Sequence, residues 1–371
     1  MAMAGGRSRV GFLILCVMMM ICVGGSAYGE VCIPRKHAAL FVFGASLFDT
    51  GNNNYINTSA ISGINIFPYG QTFFKYPSGR FTDGRVIPDF IAEYARLPLP
   101  LPYLFPAYQT YTDGTNFASG GSGALVETHR GFVIDLKTQL ANLRNVNRIL
   151  RNRHGDAETN KLVSNSIYLF NVGTNDYTAR VTENSSVLLS YSADEYVKIV
   201  VGNLTSVVQD IYKMGGRKFG FLGIAPLGCL PSLRARVNGT AGSCLEEANE
   251  LAKQHNKELS LVLQNLERKL QGFKYSFTNY YDLVSQLMNF PSKYGFKEGM
   301  VACCGSGPYR GYSTCGGRMG VKYELCENPS DHVFFDPSHY SERAAQIIAH
   351  QMWSGNGNTT GPYNLRSLFQ D

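Results

Sequence analysis

The 371-residue chain carries none of the short signatures that announce a metal or a nucleotide: it has no HExxH, no GxxxxGK phosphate loop and no dinucleotide fingerprint. No cofactor is expected from it. It also lacks a CxxC pair and a His-rich segment to set beside its cysteines, which argues against a zinc site. Runs of Lys and Arg are missing, so nucleic acid is not an expected partner. There is no long Ser/Pro/Gly tract, no charge block and no internal repeat, so nothing marks a linker between domains.

The apolar run Val10–Val23 falls short of the roughly 20 residues that cross a bilayer. Arg7 and Arg9 precede it and small residues ending Ala27-Tyr28-Gly29 follow, the layout of a secretory signal. Residues 1–29 are therefore read as a signal peptide, with a signal anchor as the alternative, and residues 30–371 as a single domain with no transmembrane segment after cleavage. Loss of Arg7 and Arg9, with no acid in the segment, takes the formal charge from +6 to +4. Cys16 and Cys22 leave with the signal. Seven cysteines remain, an odd number, so one is free or pairs between chains. Cys229 with Cys244 would close a short loop, and Cys303, Cys304, Cys315 and Cys326 admit three connectivities for two more bridges. Asn57, Asn184, Asn203, Asn238 and Asn358 stand in Asn-x-Ser/Thr sites and are glycosylation candidates in a secreted chain; Asn203 lies in a helical pattern, so its use requires that it face solvent.

Four stretches carry the chemistry. Leu40–Asn54 (LFVFGASLFDTGNNN) is an apolar strand that stops at Gly44 and delivers Ser46 into a polar loop. In Phe334–Glu342 (FFDPSHYSE), Asp336 and His339 are three apart, so the carboxylate can reach one imidazole nitrogen and leave the other to face a serine. Asn116–Gly123 (NFASGGSG) offers backbone N–H groups with no Cβ in the way. Ile167–Asp176 (IYLFNVGTND) is a second apolar strand whose end loop carries Asn175. The N–H groups of Ser46 and Gly121 with the Asn175 amide would make three oxyanion donors.

In these stretches the chain resembles the plant-type GDSL esterases/lipases of the SGNH hydrolase superfamily, and the likeness extends through YPSGRFTDGRVIPDF from Tyr76, GFLGIAPLGCLP from Gly220 and ACCGSGPY from Ala302. The resemblance implies that Ser46 is the nucleophile, that Gly121 and Asn175 are oxyanion donors, with Gly120 as the alternative to Gly121, and that His339 is the base oriented by Asp336. It implies a secreted serine esterase or lipase acting on a small-molecule or lipid ester as a monomer, in the apoplast or cell wall with the vacuole as alternative. Ala45 departs from the pattern, which has Asp between the glycine and the serine; a non-catalytic binding protein and an acyltransferase are the competing readings. GxSxG is absent around Ser46, where Phe48 replaces the second glycine, which separates the chain from α/β-hydrolases.

The rest of the pattern alternates. Helical spacing marks 133–150, a segment through Tyr196 and Ile211, Leu245–Leu270 and Glu342–Trp353, and strands are expected at Lys218–Ile224 and Tyr275–Tyr280. This alternation predicts an α/β fold, a three-layer α/β/α sandwich with a mainly parallel sheet, flavodoxin-like and, by the resemblance, SGNH hydrolase-like. Asp49, Asp83 and Asp89 read as turn and cap residues. His37, His129, His154, His255, His332 and His350 lack a partner motif and read as surface or satisfied structural residues, His332 being the one rival to His339.

Overall fold

The computed structural model describes residues 37–57, 64–107, 110–183, 186–237 and 243–371. The expected signal peptide, Cys32, Asn184 and Asn238 lie outside the described residues. Runs of large apolar residues form β1 (Leu40–Gly44), β3 (Ile167–Asn171) and β4 (Lys218–Leu222), which are buried throughout. With β2 (Gly114–Asn116) and β5 (Lys274–Thr278) they make a parallel sheet in the order β2-β1-β3-β4-β5. Because side chains alternate along a strand, register pairs bring rings of one face together. Phe43 stacks on Phe170 at 4.9 Å and Phe170 on Phe221 at 5.4 Å, while Phe41, Tyr168 and Phe219 repeat the arrangement one step earlier.

Parallel neighbours need crossovers, and long amphipathic helices supply them. The helix Ala193–Lys213 packs on both Leu136–Asn165 and Glu246–Lys269. In a second group, Ile87–Tyr94 and Leu365–Gln370 pack on Glu342–Ser354. β1 has β2 on one side and β3 on the other, so the chain reverses its direction of travel across the sheet there. Ligands of open α/β sheets bind beyond the carboxyl ends of the strands at such a point.

The fold class agrees with the expectation, and the element boundaries differ for local reasons. The helix expected at 133–150 starts at Leu136, capped by the Asp135 side chain, and continues to Asn165 as two segments meeting at Gly155, whose φ is 74°. Its second segment opens in mostly exposed polar residues and so lacks an apolar stripe. The strand expected at Tyr275–Tyr280 stops at Thr278 because Asn279 caps the helix Tyr280–Asn289. Sequence patterning did not reveal the two-residue antiparallel pair β6 (Cys304–Gly305) and β7 (Glu324–Leu325), or the antiparallel edge strand β8 (Thr360–Pro362) beside β5. Asn57, Asn203 and Asn358 are all exposed.

The ring ladder predicts a large penalty for opening it. Phe170→Ala should lower the unfolding free energy by about 3–5 kcal/mol, measured by urea denaturation.

Candidate active site

The site forms where strands of the sheet end. Gly44 closes β1 with φ 143°, and a Cβ there would lie 2.4 Å from the Asn171 carbonyl oxygen of β3, so only glycine lets the chain turn at this point. Its carbonyl accepts from the Ser119 N–H at 3.0 Å, the Ser122 hydroxyl at 2.7 Å and Gln139 Nε2 at 2.9 Å. The following residues coil into a turn in which the N–H groups of Phe48 and Asp49 both donate to the Ala45 carbonyl, and Ser46 sits on its outer side, partly exposed.

Asp49 is fully buried. Oδ1 accepts from the N–H groups of Gly51 and Asn52, and Oδ2 accepts from the Gly120 N–H at 2.9 Å. The residue is a turn cap, as its sequence context suggests, and also a bridge to a loop 71 positions further on. Burial lifts its carboxyl to about 6, against the pull of those N–H donors. Asp83 and Asp89 follow the same pattern. Asp83 caps the helix Glu342–Ser354 by accepting from the Glu342 N–H at 2.8 Å, and Asp89 caps its own helix while pairing with Arg80.

Asn175 lies in the first turn of the helix Thr174–Thr182 that follows β3, and its Nδ2 donates to the Ser122 carbonyl at 2.8 Å. The next residue, Asp176, is buried and accepts from the N–H groups of Ala124 and Leu125 and from the Thr128 hydroxyl, which docks the helix on the glycine loop. Burial raises its carboxyl as well.

Asp336 and His339 meet as their spacing predicts, with His339 Nδ1 2.8 Å from the carboxylate. Asp336 also accepts from the N–H groups of Ser338 and His339, each at 2.8 Å, and from the Tyr69 hydroxyl at 2.7 Å. Burial pushes this carboxyl up, but the His339 charge and these hydrogen bonds outweigh it and hold it below the ordinary range. The segment before it is braced by the vicinal cysteines: Cys303 N–H donates to the Phe334 carbonyl and Cys304 N–H to that of Phe335. Of the three connectivities, the chain adopts Cys303–Cys326 with Cys304–Cys315, alongside Cys229–Cys244.

Ser46, Gly121, Asn175, Asp336 and His339 all line one cavity of about 190 Å³, with Leu47, Ile224, Leu227 and Leu230 among its apolar walls. Gly120 is drawn away from it, since its N–H is held by Asp49. His332 stands apart, its Nδ1 3.1 Å from the Val301 carbonyl. His255 is a satisfied core residue on the Tyr177 hydroxyl, pushed down to about 3 by burial. His129 is likewise satisfied by a hydrogen-bonding partner, and it has a place at the cavity besides. It lines the cavity, and its Nδ1 lies 2.7 Å from the Gly121 carbonyl oxygen. Neither His129 nor Tyr69 has a sequence signal, because each reaches its partner only through an irregular loop.

Among the described residues no group of three or more His, Cys, Asp or Glu could hold a metal ion, and no helix is long and apolar enough to cross a membrane.

The family model described as "GDSL-like Lipase/Acylhydrolase" matches residues 40–352. The chain is 52% identical over 342 residues to "GDSL esterase/lipase 1" of Arabidopsis thaliana, covering 91% of each chain. It is 51% identical to "GDSL esterase/lipase 2" of the same plant, again covering 91% of each. To the "GDSL lipase" of Tanacetum cinerariifolium it is 42% identical, over 99% of this chain and 96% of that one.

Asp49 sets a pH test of the bridge. A carboxyl at about 6 in the folded chain, above the 3.8 of an exposed aspartate, keeps its proton longer on folding. Its contribution to stability is therefore greatest at low pH and declines as pH rises from about 4 to 6. Asp49→Asn cannot titrate. Urea unfolding at pH 4 and pH 7 should show the variant gaining on wild type by roughly 2 kcal/mol across that interval.

Proposed function

The chain belongs to the GDSL-like lipase/acylhydrolase family, and from that premise we propose that it is a secreted serine esterase that hydrolyses carboxylic esters, lipid esters included, through an acyl-enzyme. The observation that carries the reading is the shared cavity, in which a serine, an Asp-paired imidazole and two further candidate donors come from four separate loops. The relatives' names point to the same chemistry.

In this mechanism Ser46 Oγ attacks the ester carbonyl carbon while His339 Nε2 takes its proton. Asp336 holds Nδ1 and stabilises the imidazolium that forms. The carbonyl electron pair moves onto oxygen, which is received by the N–H groups of Ser46 and Gly121 and the Asn175 amide. The tetrahedral adduct collapses, the C–O bond to the alcohol breaks, and His339 returns its proton to the leaving oxygen. Water then enters and attacks the acyl carbon while giving a proton to His339; the adduct collapses, the bond from the acyl carbon to Ser46 Oγ breaks, and His339 returns the proton to Ser46 Oγ as the acid leaves. Ala45 stands outside every one of these proton transfers, so its departure from the family pattern leaves the sequence of steps intact.

Secretion is supported by the amino-terminal signal pattern of residues 1–29, by three disulfides, which persist in oxidising compartments, and by the exposure of Asn57, Asn203 and Asn358 as glycan acceptors. The mature domain then spans residues 30–371 and works as a monomer outside the cell.

A fluorophosphonate probe tests the nucleophile. Wild type should be labelled and should turn over a short-chain nitrophenyl ester, whereas Ser46→Ala should show neither, with an unchanged melting temperature. A wild type that resists the probe and leaves the ester intact would refute the reading.

A further inference from the structure

The oxyanion donor assigned to Gly121 sits in a pair of adjacent glycines, a backbone with wide conformational freedom. Gly120 and Gly121 are adjacent, and Gly121 has φ 87°, so nothing intrinsic to the chain aims its N–H. The surrounding side chains do aim it. The Gly120 N–H donates to Asp49 Oδ2 at 2.9 Å, the Gly120 carbonyl accepts from Asn53 Nδ2 at 2.9 Å, and the Gly121 carbonyl lies 2.7 Å from His129 Nδ1. Between these held groups, the Gly121 N–H has no partner among the described residues.

Asn53 has the most direct hold on that N–H. Peptide units are planar, and in a trans unit the carbonyl and the N–H point in opposite directions. Gly120 O and Gly121 N belong to the same unit, which is trans. A donor on the carbonyl therefore fixes where the N–H points, and by drawing electron density onto the oxygen it strengthens that N–H as a donor. Asn53 is itself locked. It is buried, and its Oδ1 accepts from the Ser119 hydroxyl, so exchanging its oxygen and nitrogen would break two bonds at once.

We infer that Asn53 is a positioning residue of the oxyanion site, acting through the Gly120–Gly121 peptide without touching substrate. The inference rests on the serine-esterase reading. It assigns a task to the tract that follows the nucleophile, one a turn of other polar residues would not perform.

The test uses the full mature chain with Asn53→Ala and with Asn53→Asp, which is close to isosteric, keeps an acceptor for Ser119 and presents an oxygen to the Gly120 carbonyl. Turnover of a nitrophenyl ester is measured together with inhibition by an alkylboronic acid, whose tetrahedral adduct on Ser46 occupies the oxyanion site. The folded variants should lose about 10- to 100-fold in kcat, with KM within about twofold of wild type. The boronate inhibition constant should rise by the same factor as kcat falls. Unchanged kcat in either folded variant overturns the inference while leaving the esterase reading intact. So does loss of kcat together with substrate binding and melting temperature, which marks a purely structural role. Failure of wild type to turn over ester or accept the probe at Ser46 overturns both.

Discussion

Hydrogen bonds between loops far apart in sequence hold the cavity together, and they converge on the end of β1. A parallel sheet pairs backbone groups only as far as its strands run; beyond them every buried N–H and C=O must find another partner or cost about 1–3 kcal/mol. Here side chains of the serine loop serve the glycine loop. Asn52 Nδ2 donates to the carbonyls of Asn116 and Ala118, Asn53 Nδ2 to that of Gly120, and Asp49 receives the Gly120 N–H. In return, Asn116 Nδ2 donates to the Phe48 carbonyl. The loops cannot drift independently without leaving buried polar groups unsatisfied, and that constraint holds the groups lining the cavity in place.

Three buried carboxylates share this task under different electrostatics. Asp49 and Asp176 accept only neutral donors, and burial leaves both carboxyls raised. Asp336 is as deeply placed but faces an imidazole, and its carboxyl is lowered. The sign of the shift thus separates Asp49 and Asp176, which join loops, from Asp336, which is paired with an imidazole. Tyr69 joins the two functions, since its hydroxyl completes the shell of Asp336 while its ring packs beside Phe335 in the core around Cys303, Cys304 and Cys315. The disulfide-linked segment therefore acts as the backing of the imidazole loop.

Much of the candidate site's grouping could be read before any coordinates, because its residues lie on strand ends or one helical turn apart. Ser46 after an apolar run, Asn175 after another and the Asp336–His339 spacing are local signals, and the structure lines them on one cavity. What could not be read depended on contacts across loops. Asp49 looks like a turn cap and is one, but its second oxygen reaches Gly120. Asn53 is one of three consecutive asparagines, with nothing local to distinguish it. His129 reaches Gly121 from a loop in which its own φ is 49°, a conformation no periodicity predicts. Short edge pairings such as β6 with β7 were hidden because two residues carry no alternation.

The central claim is that these loops present Ser46 as a working nucleophile in a prebuilt oxyanion site. Rapid acid quenching after mixing the mature chain with an activated ester, followed by peptide mass mapping, tests it most directly. The account predicts a transient acyl mass on the peptide containing Ser46, formed within the first turnover and lost as water releases the acid. Product formation with no acyl mass at Ser46, or with the acyl group on another residue, would contradict it.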